Sequence, residues 1–305
     1  MPSNQNRTVA LIGLGSMGLG MAKSLLRAGH TVSGYDVSAA ALAALAAEGG
    51  RAAASPADAA TGASIVVVVV VNAAQTEAVL FGASGVVPTL SADSVVISCA
   101  TMAPEAARAL AQRCSEHDVL YLDAPMSGGA ARAGTGELTF MASGTPQAFA
   151  AARPALEVMA GTIHELGDAA GVGSSFKIVN QLLAGVHIAA ACEAITFASK
   201  LGLDIAKVYE VITASAGNSW MFENRVPHIL EGDYAPKSAV NIFTKDLGIV
   251  SDIGRAETFP LPIAAAALQL FLMTAAAGMG RDDDSSVARM IAQITGIELP
   301  PVKDH

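Results

Sequence analysis

The stretch Thr8–Val9–Ala10–Leu11–Ile12–Gly13–Leu14–Gly15–Ser16–Met17–Gly18 places a glycine-rich turn directly after a β-rich run. A helical pattern from Met17 to Ala28 follows it. Gly13 permits a tight turn, Gly15 lets a pyrophosphate approach the backbone, and Gly18 lets the helix pack closely on the strand. Free N–H groups at the helix N-terminus attract phosphate. The stretch therefore predicts a dinucleotide-binding turn at the start of an α/β fold.

The first half of the chain alternates apolar strand patterns with alanine-rich helical segments. The strand patterns are Thr8–Ile12, Thr31–Asp36, Ile65–Val71, Ser94–Ser98, Val119–Asp123, Leu138–Ser143 and Thr162–Leu166. This order predicts a Rossmann-type, doubly wound parallel sheet in a first domain, 1–168. Strand signals stop after Gly167, so we expect an all-helical second domain, 169–305. It would begin with a long interdomain helix, Ser174 to about Leu201, buried between domains or subunits because it is apolar nearly all around.

Composition limits the classes of partner. The 305 residues hold 18 Lys and Arg against 27 Asp and Glu, and only 5% are aromatic. Nucleic acid is therefore disfavoured, because binding it needs clustered cations or stacking platforms. A small anionic substrate needs only a local positive pocket and stays compatible with this charge.

Membrane and secretory segments are not expected. The run Ile65–Val71 is too short to cross a bilayer, and Gln269 and Thr274 interrupt the longer segment Leu261–Gly280, which we expect to be a buried helix. The polar start, Met1–Arg7, favours no secretory signal. Three cysteines without a CxxC pair favour a reduced, cytoplasmic protein, and we assign no metal ligands.

Asp36 ends the second strand pattern, where it predicts the choice of dinucleotide. A carboxylate at this place can accept hydrogen bonds from both ribose hydroxyls and would repel a 2′-phosphate. Val37–Ser38–Ala39 follows it, with no arginine. NAD is therefore favoured over NADP. The alternative is that Asp36 only caps the next helix.

Lys177 is the lysine whose surroundings differ from those of the other six. It stands between Phe176 and Ile178 at the start of the long helix, and Asn180 and Gln181 share its face. Desolvation favours the neutral amine, which can accept the proton that an alcohol loses during hydride transfer. The alternative is a lysine whose stem lies along the helix while its amine reaches solvent.

Two further segments carry candidate binding residues. Asp123–Ala124–Pro125–Met126–Ser127–Gly128–Gly129 ends a strand, where ligands of such sheets bind, and its small turn suits a carboxylate. Alternatively it is an ordinary glycine-rich turn. Lys245–Asp246–Leu247 is compatible with a site or with a surface ion pair.

Four ordered motifs resemble the β-hydroxyacid dehydrogenase family, which includes 3-hydroxyisobutyrate and tartronate semialdehyde dehydrogenases. They are GLGSMGLGMAKSLL at 13–26, DAPMSGG at 123–129, GVGSSFKIVNQ at 171–181 and KDLG at 245–248. The resemblance covers almost the whole chain. It implies a Rossmann domain, an all-helical domain and a homo-oligomer, a homodimer or homotetramer, built largely through the helical part.

The resemblance also implies roles for individual residues. Lys177 is the implied catalytic lysine. The implied substrate contacts are Ser127, Gly128, Gly129, Asn180, Gln181 and Lys245. The implied NAD contacts are Gly13, Leu14, Gly15, Ser16, Met17, Gly18, Asp36, Val71, Asn72, Thr101 and Lys245.

Departures from the family pattern point to the substrate. Met126 stands where Val is usual, Gln181 where a second Asn is usual, and Asn72 where Pro is common. The first two suggest a larger or more hydroxylated substrate than 3-hydroxyisobutyrate, since Gln181 can both donate and accept. The segments 71–75, 181–187 and 216–225 resemble the branch that oxidises the C2 hydroxyl of L-threonate with NAD.

Other functions stay open at this point. A tartronate semialdehyde reductase or a 3-hydroxyisobutyrate dehydrogenase would use the same scaffold. A non-catalytic dinucleotide-binding interaction protein is the alternative outside enzymes, and the presence of Lys177 argues against it.

Overall fold

The computed structural model describes residues 7–303, so the N-terminal segment 1–6, on which the expected lack of a secretory signal largely rests, lies outside the described residues. The chain divides into two compact units, one up to Lys177 and one from Ile178 on. The division falls inside a single long helix, a few residues after the boundary that the sequence predicts at 168.

A six-stranded parallel sheet forms the centre of the first unit, with the strand order β3-β2-β1-β4-β5-β6. The strands are β1 (Thr8–Ile12), β2 (Thr31–Tyr35), β3 (Arg51–Ala52), β4 (Ile65–Val68), β5 (Val95–Ser98) and β6 (Leu120–Asp123). This order is that of a Rossmann fold, which confirms the predicted fold class. The pattern over Ile65–Val71 outlasts its strand, which ends at Val68, and the carbonyl group of Val69 lies beside Gly13.

Seven α-helices accompany the strands among the described residues of the first unit. They are α1 (Gly18–Arg27), α2 (Ala39–Ala47), α3 (Pro56–Ala60), α4 (Ala73–Phe81), α5 (Pro104–Ser115), α6 (Gly129–Thr135) and α7 (Pro146–Met159). Residues that alternate along β1 face opposite sides of the sheet. Val9 and Leu11 therefore join one apolar core, whereas Ala10 and Ile12 join the other. Both faces are covered, which is why the central strands β1, β4 and β5 are mainly apolar.

The last two predicted strands of this unit do not extend the large sheet. They form a separate sheet of three strands, β7 (Met126–Ser127), β8 (Leu138–Ala142) and β9 (Ala160–Glu165), in the order β7-β8-β9. β7 pairs antiparallel with β8, and β9 pairs parallel with it. A single bridge between Asp123 and Ser143 links the end of β6 to the end of β8.

The second unit is helical, as predicted. Its helices are α8 (Val172–Lys200), which begins in the first unit, α9 (Ile205–Thr213), α10 (Trp220–Glu231), α11 (Val240–Ala256), α12 (Pro262–Thr274) and α13 (Val287–Thr295). Among its described residues the only β-pairing is an isolated bridge between Ala239 and Asp283. Its own core includes Ile188, Phe243 and Phe271.

A buried ion pair and a buried histidine–carboxylate hydrogen bond fix α10 to the turn that precedes α13. Arg225 donates from Nε to Asp284 Oδ1 at 2.6 Å, and His228 Nδ1 lies 2.9 Å from Asp283 Oδ1. Burial by itself would raise the pKa of Asp283, but hydrogen bonds from His228 and Ser285 outweigh it and lower the pKa to about 2. Each of the two buried carboxylates therefore has hydrogen-bonded partners, as a buried charge must.

Two described helices are long and apolar enough to span a membrane by length and composition, Val172–Lys200 and the continuous stretch Pro262–Met279. Half of the apolar window of the first is buried within the protein. Only 28% of the second is buried, so the expectation that Leu261–Gly280 is a buried helix is wrong for most of its surface. One strip, with Ala264, Ala267 and Phe271, packs into the core and the opposite side stays exposed.

Candidate active site

The glycine-rich turn has the geometry that its sequence predicts. Gly13 has a φ of +97°, and a Cβ built on it would lie 2.1 Å from the carbonyl oxygen of Val69. A Cβ on Gly18 would lie 1.9 Å from the carbonyl oxygen of Gly13. A Cβ on Gly15, by contrast, would meet nothing within 4 Å. The first and third glycines therefore serve packing, while open space lies over the second, where a pyrophosphate would fit.

Asp36 is turned toward this glycine-rich turn. Its Oδ2 accepts a hydrogen bond from the backbone N–H of Leu14 at 2.7 Å, and its Oδ1 accepts one from Ser38 at 2.8 Å. The cap of α2 is Ser38, whose Oγ accepts from the N–H of Ala41. Each carboxylate oxygen can accept a second bond, so Asp36 retains the capacity to bind ribose hydroxyls.

A groove of about 470 Å³ runs along the turn. It is lined by Leu14, Gly15, Ser16, Leu19, Gly20, Lys23, Ala130 and Gly134. Ala130 follows the Ser127–Gly129 turn directly, so the groove joins the glycine-rich turn to the helix that starts at the second predicted motif. Together with Asp36, which bonds to Leu14 of the groove, these residues fit a dinucleotide, since they combine open backbone, helix N-termini and a carboxylate at the ribose position.

The remaining predicted cofactor residues lie at or just beyond the ends of β4 and β5. Asn72 is the N-cap of α4, where its Oδ1 accepts from the N–H of Gln75 at 2.9 Å. The N–H of Val71 donates to Oε1 of Gln75 at 2.9 Å. Thr101 follows β5 and is half-buried. Their contact with a cofactor stays a prediction.

The carboxylate of Asp123 holds the start of α8, a role that the sequence does not reveal. Its Oδ2 accepts from the N–H groups of Gly171 and Ser174 at 2.9 and 2.8 Å, and its Oδ1 accepts from Ser174 Oγ at 2.8 Å. Burial raises the pKa of Asp123, and the bonds from Ser174 and Gly171 oppose that shift. The carboxylate thus satisfies N–H groups that the first turn of a helix cannot satisfy internally.

Close backbone packing also holds the start of α8 in place. The N–H of Gly173 donates to Ser143 Oγ at 2.9 Å. A Cβ on Gly173 would lie 2.2 Å from the carbonyl oxygen of Met141 in β8. The start of α8 is therefore fixed on both the large sheet and the small one.

Lys177 lies on the second turn of this anchored helix. Only 7% of it is exposed, and its Nζ donates to the carbonyl oxygen of Met126 at 2.7 Å. Met126 directly precedes Ser127–Gly128–Gly129, so two motifs that are about 50 residues apart meet here. The alternative of a lysine amine in solvent does not agree with this burial. The arrangement places an amine beside the turn that we predict to bind a carboxylate.

The Ser127–Gly129 turn depends on the conformational freedom of its two glycines. Gly128 and Gly129 have φ values of +136° and +79°, which other residues rarely adopt. Gly128 precedes α6, whose first residue is Gly129. The N–H groups of this turn and the hydroxyl of Ser127 are donors of the kind that bind a carboxylate. The geometry fits the predicted role, which stays a prediction beside the alternative of an ordinary glycine-rich turn.

The second unit contains a polar cluster made by α8 and α11. Asn180 Nδ2 donates to Gln181 Oε1 at 3.0 Å, and Gln181 Nε2 donates to Asp246 Oδ2 at 2.5 Å. Lys245 Nζ lies 2.6 Å from Asp246 Oδ1. Lys245 and Asp246 form an ion pair, as one interpretation of the sequence expected, but it is not a surface pair because Asp246 is only 1% exposed.

Two family models match successive parts of the chain. The NAD binding domain of 6-phosphogluconate dehydrogenase matches residues 8–167. The model described as NAD-binding of NADP-dependent 3-hydroxyisobutyrate dehydrogenase matches residues 171–291. The two matches meet close to the predicted domain boundary.

Individual proteins resemble the chain over nearly its full length. The L-threonate dehydrogenase of Cupriavidus necator is 52% identical over 97% of this chain and 98% of its own length. The L-threonate dehydrogenase of Haemophilus influenzae is 48% identical over 97% and 98%. The crystal structure of a 3-hydroxyisobutyrate dehydrogenase from Salmonella typhimurium is 46% identical, with a TM-score of 0.89 over 92% of this chain and 99% of that chain.

Substituting the glycines of the turn separates packing from cofactor binding. Gly18→Ala should lower the thermal unfolding midpoint, because its Cβ would meet backbone. Gly15→Ala should leave that midpoint near the wild-type value and weaken NADH binding roughly tenfold or more, by filling the space that a phosphate needs. Calorimetry and NADH fluorescence titration measure the two effects. Wild-type NADH affinity in a folded Gly15→Ala variant would contradict the assigned cofactor site.

Proposed function

The chain belongs to the β-hydroxyacid dehydrogenase family, and from this premise we propose that it oxidises L-threonate to 2-dehydro-L-erythronate with NAD. The observation that supports this most is Lys177, whose amine lies at the Met126 carbonyl beside the Ser127–Gly129 turn. Identity of 52% to an L-threonate dehydrogenase, over almost the whole chain, favours this acid among those that the family oxidises.

Lys177 is the proposed general base. NAD held by the first unit, at residues 13–18 and Asp36, would supply the hydride acceptor for C2 of the hydroxy acid. The hydroxyl on C2 must lose its proton as hydride leaves the C2 carbon. A positioned amine can accept that proton. A neutral amine can donate one hydrogen to the Met126 carbonyl and also accept a proton on its lone pair. In the reverse direction the ammonium returns the proton.

The other site residues orient the reactants. Ser127, Gly128 and Gly129 would bind the substrate carboxylate through the hydroxyl and the backbone N–H groups. Asn180, Gln181 and Lys245 would contact its hydroxyls, and Lys245 would also approach the nicotinamide. Holding both reactants in place is the main contribution that a protein makes to hydride transfer.

The cofactor contacts are proposed along the first unit. The backbone of residues 13–18 would bind the pyrophosphate, and Asp36 would bind the ribose, which favours NAD over NADP. Val71, Asn72 and Thr101 would line the remainder of the dinucleotide. We assign 1–168 to the NAD-binding domain and 169–305 to a substrate and oligomerisation domain.

Oligomer formation is proposed on the exposed apolar side chains of the second unit. Val179, Leu183 and Phe197 lie on α8 and are 61%, 49% and 62% exposed. Such a stripe is costly in water and favours a homodimer or homotetramer. A cytoplasmic location, without membrane or nucleic-acid partners, agrees with three buried free thiols and the net charge of −9.

The main competing function is 3-hydroxyisobutyrate oxidation. It is favoured by the name of the Salmonella typhimurium structure, which is 46% identical to this chain. The two substrates differ in hydroxyl content, because L-threonate has three hydroxyls, at C2, C3 and C4, whereas 3-hydroxyisobutyrate has a single one, at C3. Gln181, at a position where the family usually has Asn, favours the more hydroxylated acid.

A substrate panel tests the proposed function. L-threonate, D-threonate, glycerate and 3-hydroxyisobutyrate are each offered with NAD and with NADP, and NADH or NADPH absorbance gives kcat/KM. We expect L-threonate with NAD to exceed every other combination by roughly tenfold or more, since unpaired polar groups in a site reject acids without matching hydroxyls. A larger kcat/KM for 3-hydroxyisobutyrate would support the competing function, and a larger value with NADP would contradict the role of Asp36.

Removing the proposed base tests the mechanism. Lys177→Ala and Lys177→Arg should each lower kcat about a hundredfold or more, because neither side chain accepts the proton near neutral pH. NADH affinity should stay close to the wild-type value. Lys200→Ala, an exposed lysine at the other end of the same helix, is the matched control. Wild-type turnover in Lys177→Ala would exclude this lysine as the base.

A further inference from the structure

Asp246 is a buried carboxylate for which the proposed chemistry has no direct use. It lies on α11 between Lys245 and the fully buried Leu247, and only 1% of it is exposed. Its two oxygens have different partners, Lys245 Nζ on Oδ1 and Gln181 Nε2 on Oδ2. Burying a carboxylate costs desolvation free energy, so the groups that it contacts indicate its role.

The contact with Gln181 fixes the orientation of an amide. A glutamine amide has a donor end and an acceptor end of nearly equal shape, and either can face a given direction. An ionised carboxylate only accepts hydrogen bonds, so it selects the Nε2 end of Gln181. The Oε1 end is then turned to Asn180, whose Nδ2 donates to it at 3.0 Å. The order of donors and acceptors across the cluster follows from the charge of Asp246.

The fixed amide retains bonding capacity. Nε2 has a second hydrogen beyond the one donated to Asp246, and Oε1 has a second lone pair beyond the one used by Asn180. Gln181 lies four residues after Lys177 on α8, so the two side chains share a helix face. Gln181 is therefore one helical turn along α8 from the proposed base.

We propose that Asp246 is a positioning residue that orients the Gln181 amide for the distal hydroxyls of the substrate and so selects polyhydroxylated acids. The inference rests on the proposed oxidation of L-threonate. It adds Asp246 as the residue through which the site selects polyhydroxylated acids. A different role is neutralisation of Lys245 alone. That role predicts an equal effect of Asp246 on every acid, whereas orientation of Gln181 predicts an effect only on acids with distal hydroxyls.

The test compares L-threonate with 2-hydroxybutyrate of the same C2 configuration, which has the same carbon chain without the C3 and C4 hydroxyls. Asp246→Asn keeps the size of the side chain but can donate as well as accept, so it no longer selects one end of Gln181. We expect KM for L-threonate to rise roughly 3- to 30-fold, the range for one or two hydrogen bonds between neutral groups, with kcat changed much less. The kcat/KM for 2-hydroxybutyrate should stay within about threefold of the wild type.

A double-mutant comparison separates positioning from general damage. In a Gln181→Leu background, Asp246→Asn should cause no further loss with L-threonate, since the amide that it orients is absent. Asp252→Asn, on the same helix with a 76% exposed side chain, is the matched control and should change neither substrate. Thermal unfolding of each variant establishes that it is folded.

The outcomes distinguish this inference from the proposed function. A wild-type protein that does not prefer L-threonate contradicts the proposed function and, with it, this role of Asp246. A wild-type protein that prefers L-threonate while Asp246→Asn keeps that preference contradicts the positioning role alone. Equal losses of kcat/KM with both acids, or additive losses in the double variant, would also contradict the positioning role. Neutralisation of Lys245 would then be the role of Asp246.

Discussion

One buried carboxylate determines where the proposed catalytic amine lies. Asp123 ends β6, and its two oxygens accept three hydrogen bonds from Gly171 and Ser174 at the start of α8. A helix is stiff over one or two turns, so fixing its first turn also fixes the direction in which Lys177 projects. The Nζ atom then meets the Met126 carbonyl, which belongs to the segment that follows Asp123. The carboxylate and the carbonyl thus come from one short stretch of chain.

The sequence predicts the large elements well because their signals are local. The strand–turn–helix from Thr8 to Arg27, the parallel sheet and the long helix all appear at nearly their predicted bounds. The short elements β3, α3, β7 and α6 have too few residues to show a period. The separate sheet of β7, β8 and β9 depends on pairing between distant segments, which no local pattern encodes. The exposed side of α12 has the same apolar residues as its packed side, so composition alone made it look buried.

The candidate site is predictable in its residue types and not in its contacts. Glycines at 13, 15 and 18 and the carboxylate at 36 have fixed spacings with a known physical reason, and the structure shows Asp36 bonded to the turn itself. Lys177 stands out because its neighbours in sequence are apolar. Asp123 and Asp246 do not stand out, since each looks like an ordinary polar residue at the end of a strand or on a helix. Their roles depend on partners 48 to 65 residues away.

The account depends most on the claim that the Asp123 cap positions the amine of Lys177. The most direct measurement is kcat for L-threonate in Asp123→Asn, in which one oxygen is replaced by a group that cannot accept the N–H bonds of α8. The account predicts a fall of roughly tenfold or more in kcat, with NADH affinity near the wild-type value, because a shift of about 1 Å in a catalytic group is that costly. Ser174→Ala, which removes one of the three bonds, should cause a smaller fall in the same direction. A folded Asp123→Asn variant with wild-type kcat would contradict the account.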